Sequence, residues 1–536
     1  MWPRREVDET AVAALAQQAR ITPVMARLLW LRGVRSGTEV ERWLHPSVEH
    51  FHPPELLPDF DRAVSRIEQA VARQEEILLW GHDDLDGITS VVILHRLLTD
   101  LRARVSYHIP TRGREKHGLA AAVVLARKGD PVRLVVTVDC GITNRDQVAL
   151  LHHEGIEVIV TDHHEVPDPM PDAVANVDAK RPDSVYPYRG LASAGLALKL
   201  GMGLAQRRLG LTHAEFLSVQ PELLALAVLG TLADRVPLTG ENRTIVGVGL
   251  SRLENTRLPA VRAVLDRLMH RQRLSVSRFL ADLLPLFAAA IGNEAVAKFI
   301  SATREEAESW VDKLEAESRT WRAEAERTLE QAASQVILGD GILFVRGREL
   351  SLRALGFCAA KLKDQYQVPA VVMGWRGDAW IGECRGIEGV SLLDLLNALA
   401  EYLIDFGGHK KAAGFSIADD RVEDFIRAAE EYAHRNFAGR IRPENRMMVD
   451  ALLPFADFDP DLAALGPFGD GNPQPVFESG PTTVVADGDV LRPAGRRELT
   501  LKAVRGALAV ESGRGWNLLY TLDEAGSLTA LDARPA

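Results

Sequence analysis

Cysteine is nearly absent. Cys140, Cys358 and Cys384 are the only three in 536 residues, too few and too scattered for a disulfide framework or a zinc-finger spacing. They read as reduced thiols of a cytosolic protein. No apolar run approaches the length that spans a bilayer. The opening residues, MWPRREVDETAVAAL, lack a continuous apolar stretch and turn acidic at once, which argues against a secretory leader. Internal repeats, low-complexity tracts, a nucleophile elbow and a P-loop are all missing. So is any cationic excess: 63 Lys and Arg against 74 Asp and Glu leave a net charge of −11. A chain this acidic binds polyanions only through a local basic groove or through bound cations.

What is present is ordinary globular composition, 46% hydrophobic and 26% charged, over a length that implies three or four domains. Residues 1–50 read as a helical segment. Over 51–250, apolar runs (ILLW, LVVTV, VIV) alternate with helical patterns, which predicts a parallel sheet covered on both faces. Residues 251–336 form an Arg-rich helical connector, with arginines from Arg257 to Arg278. It ends in a Pro- and Gly-free, charge-alternating segment expected to be one long, largely solvated helix. Strands return at ILFV, AVVMGW and AWIGECR, predicting a second α/β domain over 337–440. Short strands broken by Gly and Pro over 441–536 (TTVVADGDVL, LTLKAV, ALAVES, NLLYTL, LTALDA) predict a small OB-like β-barrel. The fold class is therefore α/β: two α/β domains joined by a long helix, plus a C-terminal barrel.

Chemistry concentrates where the predicted strands of the first domain end. His82, Asp84 and Asp86 alternate after ILLW; if extended, that segment puts all three side chains on one side. Asp139 follows LVVTV, and Asp162-His163-His164 follow VIV. In parallel sheets ligands gather at the carboxyl ends of the strands. Carboxylates at this density repel one another unless a cation neutralises them, and a mixed N/O set suits Mn2+ or Mg2+. An Asp after a strand is also the usual cap of the next helix. Three such clusters at successive strands favour the metal. Gly81, Gly87 and Gly141 are expected to let the backbone approach a phosphate.

GHDDLDGITS, VTVDCG, TDHH and LGTLADRVPLTGENR together resemble the four motifs of the DHH phosphoesterase superfamily. Their order and spacing are similar to the RecJ family of single-strand-specific exonucleases. RAVSRIEQA, YHIPTRGREKHGL, NVDAKRPDSVYPYRGLASAGLALKL, RGIEGVSLLDLL, FGGHKKAAGF and GPFGDGNPQPVF extend the likeness over nearly the whole chain. The resemblance makes 51–250 the metal-binding DHH domain, 337–440 a DHH-associated substrate-binding domain, and 441–536 an OB-fold that holds nucleic acid. It implies two divalent cations, Mn2+ or Mg2+. One would be held by His82, Asp84 and Asp139, the other by Asp86, Asp139, His163 and Asp234, with Asp139 bridging. His164 would face the substrate phosphate, and Asp162 would orient a ligand imidazole.

By the same resemblance the 407–414 segment faces the metals, with Gly407 and Gly408 admitting the nucleotide backbone and His409 contacting the scissile phosphate. A Gly-rich turn opening a helix, with two solvated lysines, is the alternative. Arg385 is the candidate for a terminal 5′-phosphate and Arg112 for the strand backbone. The implied activity is hydrolysis of single-stranded DNA, 5′→3′ to mononucleotides, in repair and recombination. The implied partners are the single strand, a single-strand-binding protein or a helicase, with no membrane. The barrel is expected to serve strand binding rather than chemistry. Two stretches depart from the family pattern: LFAAAIGNEAVAKF lacks two arginines of a PRxNAxGR-like run, and Leu350–Gly356 keeps only the last glycine of a WHxGVVG-like turn. They favour a weakly active DNA-binding scaffold as one alternative; a nanoRNA or cyclic-dinucleotide phosphodiesterase of the same superfamily is another.

Overall fold

The computed structural model describes residues 2–111, 115, 118–129, 131–269, 274–287, 289, 292–387, 389–408, 410–437, 447–496, 498–503 and 510–536. The chain divides into two compact units, Met1–Asp312 with Arg446–Ala536, and Lys313–Asn445.

The first unit is built on five parallel strands, β1 (Glu76–Trp80), β2 (Arg104–His108), β3 (Val132–Val138), β4 (Glu157–Thr161) and β5 (Ala175–Val177), in the order β2-β1-β3-β4-β5. Their near-continuous apolar runs suit burial on both faces. Leu78, Trp80, Val135, Val158 and Val160 join Val124, Val148 and Leu151 in one core. The alternate residues Ile77, Leu79, Leu134 and Val136 are fully buried too. The helix Leu85–Asp100 packs on β1, β2 and β3. The strand order makes β1, β3 and β4 neighbours, so the three ligand clusters lie side by side at their carboxyl ends. The helix Pro221–Ala233 is apolar all round and lies against helices Leu85–Asp100, Ser193–Leu209 and Gly240–Glu254, as a fully buried helix must.

The second unit carries β6 (Ile337–Leu338), β7 (Leu343–Gly347), β8 (Ala370–Trp375), β9 (Trp380–Arg385), β10 (Asp405–Gly408) and β11 (Ala412–Ile417), in the order β10-β11-β9-β8-β7-β6. Phe344, Met373, Phe415 and Phe425 bury one face, and Val345, Leu355, Cys358 and Leu362 the other. FGGHKKAAGF does not open a helix. Gly407 and Gly408 pair with Gly414 and Ala413 across a β-hairpin. The helix Arg304–Ala333 spans the boundary between the units. It is not polar all round, because Ala307, Trp310, Val311, Leu314, Ser318, Ala325, Thr328 and Ala332 form a buried stripe at helical spacing.

The last strands are β12 (Ala451–Leu452), β13 (Val476–Asp487), β14 (Val490–Pro493), β15 (Leu501–Ala503), β16 (Gly515–Leu522) and β17 (Leu528–Pro535). The sheet runs β12-β13-β14-β15-β17-β16, and β13 also pairs with β16, closing five strands into a barrel. Half of the expected ALAVES strand falls outside the described residues, and the other half is not strand. This barrel does not stand alone. Leu28, Leu29 and Trp43 of helices Pro23–Leu31 and Gly37–Leu44 share one core with Phe455, Leu462 and Tyr520. Short amphipathic helices have little stability by themselves, and the barrel supplies their apolar partner. Leu28→Ala should cost roughly 2–5 kcal/mol, read as a lower urea midpoint. Hydrogen-exchange protection should fall together at residues 25–29 and 518–522.

Candidate metal centre

The segment after β1 is not extended. Asp84 is the N-cap of the helix Leu85–Asp100, its Oδ1 accepting from the Gly87 amide at 2.9 Å, and Asp86 lies in the first helical turn. The strand-to-helix turn, rather than a pleat, puts His82, Asp84 and Asp86 together. Asp84 both caps and faces the centre, since its Oδ2 lies 3.0 Å from His82 Nδ1. Gly87 permits the turn: a Cβ there would sit 2.5 Å from the His82 carbonyl. Gly81 and Gly141 serve packing in the same way, against Val91 and Ile109 and against Thr137. At all three positions a side chain would collide with neighbouring protein atoms.

Asp139 follows β3 in a left-handed conformation, φ 63°, and its amide donates to the Thr161 carbonyl at 3.1 Å. That turn aims its carboxylate between the two neighbouring loops. Oδ1 lies 3.1 Å from His163 Nε2, and Oδ2 3.7 Å from His82 Nδ1. His163 Nε2 is also 3.7 Å from Asp234 Oδ2. Donor atoms of His82, Asp84 and Asp139 all lie within 4.8 Å of one another, as do those of Asp86, His163 and Asp234 and those of Asp139, His163 and His164. The structure thus gathers the residues expected as ligands into adjoining groups around Asp139. Asp162 Oδ1 accepts from His164 Nδ1 at 2.7 Å. It also accepts from the amides of Ile142, His163 and His164. Arg385, at the end of β9, donates to Glu383 Oε2 at 2.9 Å. Gly356, the one glycine kept from the family's turn, lies where a Cβ would come 2.6 Å from Arg385 Nη2. Arg112 and His409 lie outside the described residues.

Three features of the site carry no sequence signal of their own. Ser193 and Ala194 open the helix Ser193–Leu209, and their amides donate to Asp86 Oδ2 and Oδ1 at 2.8 and 2.9 Å. The Ser193 hydroxyl donates to Asp139 Oδ1 at 3.1 Å. Gly230 is the second. A Cβ on it would meet Asp86 Oδ1, Thr89 Oγ1 and Ala194 Cβ, each at 2.5 Å, so only glycine lets the Asp234 helix close on the other two. Third, Gly292 and Asn293 of the departed LFAAAIGNEAVAKF stretch brace the site. The Gly292 amide donates to Asp83 Oδ1 at 3.2 Å, and Asn293 Oδ1 accepts from the Ile109 amide at 2.8 Å. Only after folding do these residues meet the ligands.

The electrostatics describe a carboxylate cluster that needs positive charge. Burial, with the charges of Asp84 and Asp86, pushes the Asp139 carboxyl well up. Burial and the neighbouring aspartates do the same to Asp234. Burial and then Asp84 raise Asp86 to about 7. Burial also opposes ionisation of Asp84, but the hydrogen bond and charge of His82 hold it below the usual range. Likewise burial would lower His164, yet the Asp162 carboxylate raises it to about 9. Asp139 Oδ2 is buried with no hydrogen-bond donor. An orphaned carboxylate oxygen among imidazoles and crowded carboxylates fits a hard divalent cation with N/O ligands.

Two outcomes follow. Gly230→Ala, a change that favours helix elsewhere, should here weaken Mn2+ binding about 10–100-fold, measured by titration calorimetry. Because Asp86 is protonated below about 7, protons compete with the cation at low pH. Mn2+ affinity should be at least about tenfold weaker at pH 6 than at pH 8, with protons released on binding.

Residues 76–231 match the DHH family, N-terminal domain, and residues 339–435 the DHHA1 domain. The chain is 31% identical over 511 residues to the single-stranded-DNA-specific exonuclease RecJ of Salmonella typhimurium, covering 89% of this chain and 85% of that protein. It is 30% identical over 516 residues to RecJ of Bacillus subtilis, but there spans only 61% of the relative's length for 88% of its own. The crystal structure of RecJ from Thermus thermophilus in complex with Mn2+ shares the fold, with a TM-score of 0.80 at 24% identity, over 100% of this chain and 79% of that one. A second crystal structure, of exonuclease RecJ bound to manganese, aligns with a TM-score of 0.60 at 27% identity, over 72% of this chain and 96% of that one. With its ordered motifs, its cluster of His and Asp side chains beside the parallel sheet and this likeness to RecJ proteins, the chain belongs to the RecJ family of DHH proteins.

Proposed function

We propose that this protein is a metal-dependent exonuclease that hydrolyses single-stranded DNA, 5′→3′ to mononucleotides, in DNA repair and recombination. The observation that carries the reading is the adjoining of two ligand groups, His82-Asp84-Asp139 and Asp86-His163-Asp234, brought together by the 3.1 Å approach of Asp139 to His163, in a member of this family. One cation belongs with His82, Asp84 and Asp139, the other with Asp86, Asp139, His163 and Asp234. Held there, two divalent cations, Mn2+ or Mg2+, would contribute water activation and neutralise charge on the phosphate and leaving oxygen. Relatives named single-stranded-DNA-specific exonucleases, and RecJ structures holding Mn2+, support this.

The chain's own groups do the rest. The helix amides at 193 and 194 hold both oxygens of Asp86, so it cannot swing away. His164, kept protonated by Asp162, offers a cation to a substrate phosphate. Arg385, Gly407 and Gly408 are assigned to the strand terminus and backbone, with Arg112 and His409 as further contacts. A single-strand-binding protein or helicase is the partner class such an enzyme works with. The reading places it in the cytoplasm, where buried Cys140, Cys358 and Cys384 stay reduced. Among the described residues no single helix is long and apolar enough to cross a membrane.

A digest of 5′- and 3′-labelled single strands with Mn2+ should release the 5′ label first, as a mononucleotide, with duplex left intact. Loss of the two labels at equal rates would reject the polarity, and preference for dinucleotides would point to a phosphodiesterase. EDTA should abolish the reaction, and Asp139→Asn should slow it more than about 100-fold. An unchanged rate in that variant would sink the assignment.

A further inference from the structure

Five of the six residues assigned as metal ligands follow a strand of the parallel sheet within a few residues: His82, Asp84 and Asp86 after β1, Asp139 after β3, His163 after β4. Strand register fixes their positions. Asp234 is the exception. It terminates the helix Pro221–Ala233, its amide donating to the Gly230 carbonyl at 3.0 Å, and an irregular segment follows. Arg235, next in the chain, is held at φ 58°, a left-handed conformation uncommon for a residue with a side chain. Such a conformation persists only when the surroundings over-determine it.

The surroundings come from the barrel. GPFGDGNPQPVF, the run that leads into β13, folds its Gly469–Asn472 stretch into a tight turn, with the amides of 469 and 472 donating to each other's carbonyls at 2.9 and 3.1 Å. That turn presses on the residues after Asp234. Arg235 Nε donates to Asp470 Oδ2 at 3.0 Å, and the Leu238 amide donates to the Asp470 carbonyl at 2.7 Å. Gly471, at φ +71°, sits so near that a Cβ would come 2.8 Å from Pro237 Cβ; one on Gly469 would come 2.8 Å from Leu238 Cδ1. The turn is itself anchored. Asn472 is fully buried, donates to the carbonyls of Leu465 and Pro467 at 2.8 and 2.7 Å, and accepts from Arg32 Nε at 2.6 Å. Arg243, buried a few residues beyond Leu238, donates to the carbonyls of Trp43, Ala464, Leu465 and Gly466.

We propose that the Gly469–Asn472 turn of the barrel is a positioning element for the metal site. It clamps residues 235–238 and thereby holds the Asp234 carboxylate against His163. The barrel then does more than hold a strand, contrary to the division of labour expected from sequence. The inference rests on the reading that Asp234 holds a cation.

Mn2+ binding to the full-length, metal-free protein tests it, followed by titration calorimetry and by the electron-paramagnetic signature of a coupled Mn2+ pair. The wild type should take up two Mn2+. In Gly471→Ala, one of the two should bind about 10–100-fold more weakly and the coupled signal should be lost at stoichiometric metal. The melting temperature in EDTA should stay within a few degrees. Asp470→Ala should move the same way by a smaller, several-fold step. At limiting Mn2+ both variants should lose kcat with the KM for single strand unchanged, and excess Mn2+ should restore it. Two Mn2+ bound with wild-type affinity in a folded Gly471→Ala would overturn the proposal. Should that variant not fold, unchanged affinity in Asp470→Ala overturns it instead. A wild type that binds no Mn2+ pair removes the metal reading itself, and this inference with it.

Discussion

Crowding of like charge at one point governs this molecule. Asp84, Asp86, Asp139 and Asp234 converge beside His82 and His163 with their carboxylates turned toward one another. Such groups cannot all ionise in a poorly hydrated pocket unless cations sit among them. Proteins tolerate an arrangement of this kind only where something else depends on it, because the same fold would be more stable with apolar residues in their place. The upward displacement of Asp86, Asp139 and Asp234 states the same conflict in terms of protons.

The neighbouring architecture answers that conflict in two ways. Fixed partial positive charge comes from the start of the helix Ser193–Leu209, whose amides meet both oxygens of Asp86. Steric closeness comes from Gly230, where three helices converge without a side chain between them. Further out, buried Lys199 pairs with Glu241 and donates to the His52 carbonyl at 2.7 Å, while Tyr186 also donates to Glu241. This network ties the loop before the sheet to helices Ser193–Leu209 and Gly240–Glu254. A buried ion pair of this sort gains from having every partner hydrogen-bonded, and its geometry limits how far either helix can shift.

The two ends of the chain meet in the same unit. Trp2 donates to Asp532 at 2.9 Å, Arg4 pairs with Glu478 at 3.0 Å, and the first helices bury their apolar faces against the barrel. From that joint body the 466–472 loop reaches the segment after Asp234. Side-chain pairs, a shared apolar core and the Leu238–Asp470 backbone bond thus connect the first helices and the barrel to the segment after Asp234.

Much of this was legible in the residues. Apolar runs such as LVVTV can be satisfied only by burial on both faces, so a parallel sheet with ligands at its carboxyl ends followed from pattern alone, and the ordered motifs named the family. Local patterns failed where a partner distant in sequence decides the outcome. FGGHKKAAGF became a hairpin because β9 offers β11 a paired edge, a partner its own composition does not encode. Which groups could bind a cation was readable from the residues alone, since that depends on donor chemistry and on which residues end the strands. Folding alone brought the Ser193 hydroxyl to Asp139 and the 469–472 turn to Arg235 and Leu238. Those contacts join residues more than 50 and more than 200 positions apart, and local spacing carries no information across such distances.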